Sequence, residues 1–189
     1  MSKELRNLQL SRPLSGFRID MEQPVSTAQA EIKDIAAIRS TAFEVWPQVY
    51  ATLLSPEQIS YMMDMMYSCD VIRSELESGV RWFIVKSGND IAGYASIYDT
   101  VFDGVPAVKL DKLYLKESFR SRGIGRQLLS HLVQESKKAG ASRMILNVNK
   151  YNTPAQSAYK RWGFTLAKSE VNDIGNGFVM DDFVFALDI

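Results

Sequence analysis

From residue 80 onward, apolar and polar residues alternate in short runs. Val80–Lys86 and Ile91–Tyr98 read as strands joined by the turn Ser87-Gly88-Asn89-Asp90, which makes a hairpin, and Val108–Leu115 reads as a third strand. Leu128, Leu129, Leu132 and Val133 then recur at three- and four-residue spacing, the buried stripe of a helix that begins near Gly125 and ends at Gly140. Arg143–Asn149, Phe164–Lys168 and a segment near Phe178–Leu187 continue the strand pattern. Upstream the period is helical. Ile32, Ile35, Ala36, Ile38, Arg39 and Phe43 place a helix within Ala30–Trp46, and Ser55-Pro56-Glu57 opens a second over Pro56–Tyr67. Residues 1–20 carry little periodicity and predict a loose arm. Two helices followed by strands and helices in mixture predict a single α/β layer domain over residues 1–189.

Two junctions in this pattern carry chemistry. Arg120-Ser121-Arg122-Gly123-Ile124-Gly125 joins a strand to a helix, so its unpaired amides and the positive end of the helix dipole form a phosphate site. Glycine permits close backbone approach there, and Arg120, Arg122 and Arg126 add positive charge. Leu128 stands where a dinucleotide fingerprint needs a third glycine, and no Gly-Lys-Ser/Thr follows. The second junction is Asn152-Thr153-Pro154-Ala155-Gln156. Thr153 as N-cap, Pro154 at the first helical position and Gln156 as the capping-box partner predict a helix from Pro154 to Gly163. Its inner face carries Ala155, Ala158, Tyr159 and Trp162, with the alanines leaving room beside the tyrosine.

Taken together, Arg-x-x-Gly-x-Gly after a strand and then Asn-x-x-Ala-x-x-x-Tyr with Gly163-Phe164 resemble the GNAT superfamily of acyl-CoA-dependent N-acetyltransferases over residues 80–168. The resemblance implies a mostly antiparallel mixed sheet flanked by helices, with a splayed cofactor cleft between the central strands. It implies acetyl-CoA as donor, its pyrophosphate held by the turn residues Arg120, Ser121, Arg122, Gly123, Ile124, Gly125 and Arg126. The pantetheine arm would pair with the backbone of Leu113, Tyr114 and Leu115, Asn149 and Asn152 would contact the cofactor, and Tyr159 would protonate the departing thiolate. A phenol with an ordinary pKa of about 10 is protonated at neutral pH and suits that role. From the residues alone Tyr159 is equally a packed aromatic, and Asn152 equally the start of an Asx-turn.

Composition narrows the acceptor. Twenty-two basic and twenty-two acidic residues leave no net charge, which gives no broad surface for nucleic acid or membrane. Cys69, the single cysteine, excludes an intrachain disulfide, suits a reducing cytoplasm and reads as a small buried side chain. His131 falls beside the apolar helix stripe, away from other ligand types, so no metal site is expected. No run of residues approaches membrane-spanning length.

Acetyl transfer to an ammonium needs a proton acceptor. Asp111, on the strand leading to the glycine turn, is the candidate base; strand alternation puts it on one face with Lys109 and Leu113, so a salt bridge to Lys109 is the other reading. The spermidine/spermine acetyltransferases of the superfamily are similar in carrying a carboxylate there. Substrate choice falls to residues 30–67 and to the C-terminal strands of residues 169–189. Trp46, Tyr50, Phe178 and Asp181 are the candidate acceptor contacts, beside a group formed by Tyr61, Met62, Met63, Met65 and Met66. Aromatic faces with carboxylates suit a cationic amine, and the segment Asp173–Phe178 resembles the branch of the superfamily that includes bacterial polyamine acetyltransferases. The expected partner is a small-molecule amine, with a peptide N-terminus or a non-catalytic acyl-CoA sensor as alternatives, in a monomer or homodimer.

Overall fold

The computed structural model describes residues 23–189, and the predicted arm at 1–20 lies outside them. One seven-stranded sheet runs through the described chain in the order β1-β2-β3-β4-β5-β7-β6. Its strands are β1 (Val25–Gln29), β2 (Arg81–Ser87), β3 (Asp90–Phe102), β4 (Val105–Leu115), β5 (Arg143–Asn149), β6 (Thr165–Gly175) and β7 (Phe178–Asp188). Every neighbouring pair is antiparallel except β4 and β5. The helices are α1 (Ile35–Tyr50), α2 (Pro56–Tyr67), α3 (Cys69–Glu77), α4 (Ile124–Lys138) and α5 (Thr153–Arg161).

Each face of the sheet is covered by helices. On one, α4 inserts Ile124, Leu128, Leu129 and Leu132 against Phe83, Val85, Val108, Leu110 and Phe185. On the other, α1, α2 and α3 bring Ile38, Ala42, Trp46, Met62, Met63, Tyr67 and Ile72 onto Trp82, Ile84 and Tyr94. Burying each large apolar side chain stabilises the fold by about 1.5–3 kcal/mol. Polar atoms inside the second core are paired: the indole N–H of Trp46 donates to the Tyr67 hydroxyl at 2.9 Å, and so does the Tyr94 hydroxyl at 2.9 Å. The predicted methionine group is therefore chiefly core, with Met62 and Met63 buried and Met65 exposed.

Several expectations are corrected. A strand, β1, and a third helix, α3, precede β2, where two helices alone were expected. The first helix is displaced toward the C-terminus, after a single 3₁₀ turn at Ile32–Asp34. Ser68 ends α2 and caps α3, its hydroxyl accepting from Val71 N–H at 3.3 Å, so Cys69 begins a helix and is exposed rather than buried. Asn152, not Thr153, caps α5: its Oδ1 accepts from Ala155 N–H at 3.3 Å. Gln156 makes no capping box; its side-chain amide donates to the carbonyls of Asn149 and Lys150 at 3.2 and 2.9 Å, fastening α5 to the end of β5.

Two irregularities shape the site. Between β3 and β4 the register passes from Ser96↔Lys112 to Ile97↔Leu110, leaving Asp111 as the extra residue of a bulge. β4 and β5 pair only from Ala107↔Arg143 to Leu110↔Leu146, although β4 continues to Leu115 and β5 to Asn149. Beyond that point the two strands part, and the edge of Leu113–Leu115 that faces β5 has no strand partner.

Candidate active site

The gap between the parted strands opens into three connected cavities. The first, about 570 Å³, lies between the end of α1 and the start of α5, over Leu113, Leu115, Asn152 and Tyr159. Leu113, Leu115, Arg120, Pro154, Ala155 and Tyr159 also line a second cavity of about 500 Å³ that runs to Gly123, Gly125 and Trp162. A third, about 330 Å³, meets the first at Tyr50, Asp111, Tyr114 and Asn147 and extends beneath α2 to β6 and β7.

The glycine turn has the geometry of an anion cradle. Ser121 and Gly123 take positive φ values of 62° and 76°. Among the described residues, the N–H groups of Ser121 through Gly125 donate to no backbone or side-chain acceptor. Five consecutive amides are thus left free at a helix N-terminus, where an anion is favoured. Arg120 Nε donates to Leu115 O at 3.0 Å, while its Nη2 is buried and has no partner within the described chain. Such a buried cationic donor is costly unless an anion meets it. A Cβ on Gly125 would lie 3.2 Å from the Trp162 ring, so a side chain there would be tight unless the indole shifted by a few tenths of an ångström. We expect Arg120→Met to raise KM for an anionic nucleotide ligand by about 10- to 100-fold with little change in kcat; steady-state kinetics with the donor varied would check this.

Tyr159 lines both the first and the second cavity. Its ring packs edge-on against Trp162 and Phe164, at 5.7 and 5.6 Å between centroids. Its hydroxyl makes no hydrogen bond among the described residues, and burial holds its pKa well above the ordinary phenol value, with the nearby Tyr50 adding to the effect.

Asp111 reaches the junction between cavities, but its partner is Lys112 rather than Lys109. The bulge is the reason: it turns Asp111 and Lys112 to the same side, while Leu113 joins the opposite core with Val108 and Leu110. Lys112 is almost fully buried over the Trp82 ring, 4.8 Å from its centroid, and also pairs with Glu75 at 3.4 Å. Ser96 Oγ approaches Asp111 Oδ2 at 3.4 Å. Lys109 donates instead to Asn147 Oδ1.

Of the acceptor-side candidates, Tyr50 and Trp46 line the third cavity, and the Tyr50 and Tyr114 hydroxyls share a hydrogen bond at 3.0 Å. Asn149 lies on this cavity as well, not on the two that contact the glycine turn and Tyr159. Phe178 and Asp181 line none of the three. Phe178 packs on Tyr61 at 5.5 Å, and Asp181 pairs with Lys150. Asp182, which the sequence pattern places with Asp181 in a solvated charged turn, is instead the residue of β7 that turns its carboxylate inward, only 2% exposed. Alternation held the signal: Phe183, Phe185 and Leu187 pack under α4, which sends Asp182 to the opposite face. Among the described residues no group of three or more His, Cys, Asp or Glu is arranged to hold a metal, and no helix is long and apolar enough to cross a membrane.

The glycine turn, the unpaired edge of β4 and the Tyr159 phenol thus border one continuous slot. The chain belongs to the Acetyltransferase (GNAT) family, whose sequence profile matches residues 42–164, and its donor is acetyl-CoA. It is 25% identical over 164 residues to the spermidine N(1)-acetyltransferase of Thermoplasma acidophilum, covering 83% of this chain and 96% of that protein. It is 28% identical over 114 residues to the peptidyl-lysine N-acetyltransferase YjaB of Salmonella typhimurium, covering 60% of this chain and 75% of that one. The crystal structure of PaiA N-acetyltransferase from Thermoplasma acidophilum in complex with coenzyme A superposes with a TM-score of 0.72 at 22% identity, over 88% of this chain and 99% of that one.

Proposed function

We propose that the acceptor is the primary amine of a small cationic molecule, acetylated directly while both substrates are bound. The observation that carries this is the third cavity, a cleft with aromatic and methionine walls and three carboxylates, which shares Tyr50, Asp111, Tyr114 and Asn147 with the first cavity. Carboxylates and aromatic faces together suit an ammonium on an alkyl stem.

Acetyl-CoA supplies an activated acetyl group whose sulfur leaves as a thiolate. The free amides of Ser121–Gly125 and the buried Arg120 Nη2 would hold its pyrophosphate, with Arg126 at the rim. The open edge of Leu113, Tyr114 and Leu115 would pair with its amide arm as an added strand does. Asn152 Oδ1 already accepts from Ala155 N–H in the α5 cap, which leaves its Nδ2 free to donate to a ligand. Tyr159 Oη holds a proton at the thiol end of the slot. Asp111, at the junction of the cavities, would accept the ammonium proton directly or through water, with Lys112 fixing the carboxylate.

The test is thiol release from acetyl-CoA with a panel of monoamines, polyamines and short peptides, run beside Asp111→Asn. Turnover on small amines is expected, and turnover confined to peptides would overturn the proposal. The substitution is expected to lower kcat about 10²-fold at pH 7. That deficit should shrink as the pH approaches the pKa of about 10 typical of an alkylamine, where the acceptor loses its proton unaided. A deficit constant with pH removes Asp111 as base.

A further inference from the structure

The three carboxylates of the acceptor cavity are not equivalent. Asp111 is paired with Lys112. Glu170 accepts from Asn147 Nδ2 at 2.6 Å and from Asn172 Nδ2 at 3.2 Å, and pairs with Lys168 at 3.0 Å; these contacts hold its carboxyl down at about 2. Asp182 is the most buried of them, yet among the described residues its single hydrogen bond is a long one of 3.4 Å from the same Asn147 amide. Among the described residues it forms no ion pair. The two lysines that share its cavity are engaged elsewhere, Lys109 with Asn147 and Lys112 with Asp111 and Glu75. A buried carboxylate with spare acceptor capacity, turned into a cavity, asks for a cation from outside the chain.

Its position says which cation. Asp182 lines the third cavity but not the first, so it lies beyond the junction at which the reacting nitrogen would meet Asp111 and the donor slot. Met62, Met66, Val179 and Met180 line the same cavity and offer apolar wall to an alkyl chain. We propose that Asp182 binds a second, non-reacting ammonium of the acceptor, and that it makes this site selective for diamines over monoamines of equal length. The proposal rests on the small-amine reading above and assigns its selectivity to one residue.

Direct binding separates the two. Calorimetric titration of the full chain with 1,4-diaminobutane and with butylamine is expected to show the diamine bound about 10- to 100-fold more tightly. Asp182→Asn is expected to bring the two ligands to equal affinity by weakening the diamine alone. Equal affinities in the parent protein, or an equal loss for both ligands in the variant, would overturn the proposal. A diamine preference that depends on Asp182 in a protein that acetylates no small amine would uphold the site and sink the catalytic reading instead.

The variant should fold. Burial raises the Asp182 carboxyl above the usual carboxylate range, with Asn147 and Lys109 only partly opposing this. The folded chain therefore binds that proton more tightly than the unfolded chain, and native stability attributable to this group falls as pH rises through its folded value. A neutral amide removes the cost, so Asp182→Asn should melt no lower than the parent at pH 8, and the parent comparison of the two amines needs no variant at all.

Discussion

Replacing Tyr159 with Phe is expected to lower kcat roughly 10²-fold while changing KM for acetyl-CoA by no more than about threefold. The hydroxyl makes no hydrogen bond among the described residues, so its removal breaks none of those contacts, and the ring keeps its packing on Trp162 and Phe164. Only the proton is lost. Because burial raises the Tyr159 pKa well above the ordinary phenol value, the group is protonated throughout the range in which an enzyme is assayed. The parent should consequently show no alkaline limb from this residue below about pH 10. A variant with unchanged kcat would mean that water protonates the thiolate and that Tyr159 serves packing alone.

The second large effect is on the fold. Gly93 lies on β3 opposite Leu115, and a Cβ there would sit 2.1 Å from the Tyr114 carbonyl oxygen and 3.0 Å from Leu115 Cα. Those atoms are backbone and cannot rotate away, so Gly93→Ala must push β4 outward. Overpacking of well-fitted interiors typically costs about 1–3 kcal/mol, and the backbone clash places this substitution at the upper end or beyond. Urea unfolding should show a midpoint shift of that size without a change in slope. Since β4 is also the edge proposed to pair with the donor, a folded variant should bind acetyl-CoA more weakly than the parent. Parent-like stability would show that β3 and β4 separate at this point without strain.

The sequence made the donor side legible because that side is built from local signals. A glycine turn feeding a helix and a capped short helix behind a strand are written in consecutive residues, and Arg120, Gly123, Gly125 and Tyr159 line one cavity. The acceptor side depends on strand phase, which short range does not fix. The bulge at Asp111 advances the phase by one residue and exchanges Lys109 for Lys112 as its partner, and no residue type announces it. In the pair Asp181-Asp182 either carboxylate could point inward until the strand is phased from Phe183 and Phe185. β1 escaped notice because Val25-Ser26-Thr27-Ala28-Gln29 has scarcely any apolar side to alternate. α3 buries only Ile72, too little for a stripe.

If the donor arm pairs with β4 as proposed, the early parting of β4 from β5 would also let the protein discriminate among thioester carriers. Peptide groups along an unpaired edge are hydrogen-bonded to solvent when no ligand is present, so exchanging solvent for a matching amide yields only about 0.5–1.5 kcal/mol per bond. A donor whose arm placed a methylene opposite one of those groups would instead strand it, at about 1–3 kcal/mol each. Selectivity along Leu113–Leu115 would then reside less in what the right thioester gains than in what a wrong one forfeits, and the gap in the sheet would act as a ruler for the spacing of amides in the arm.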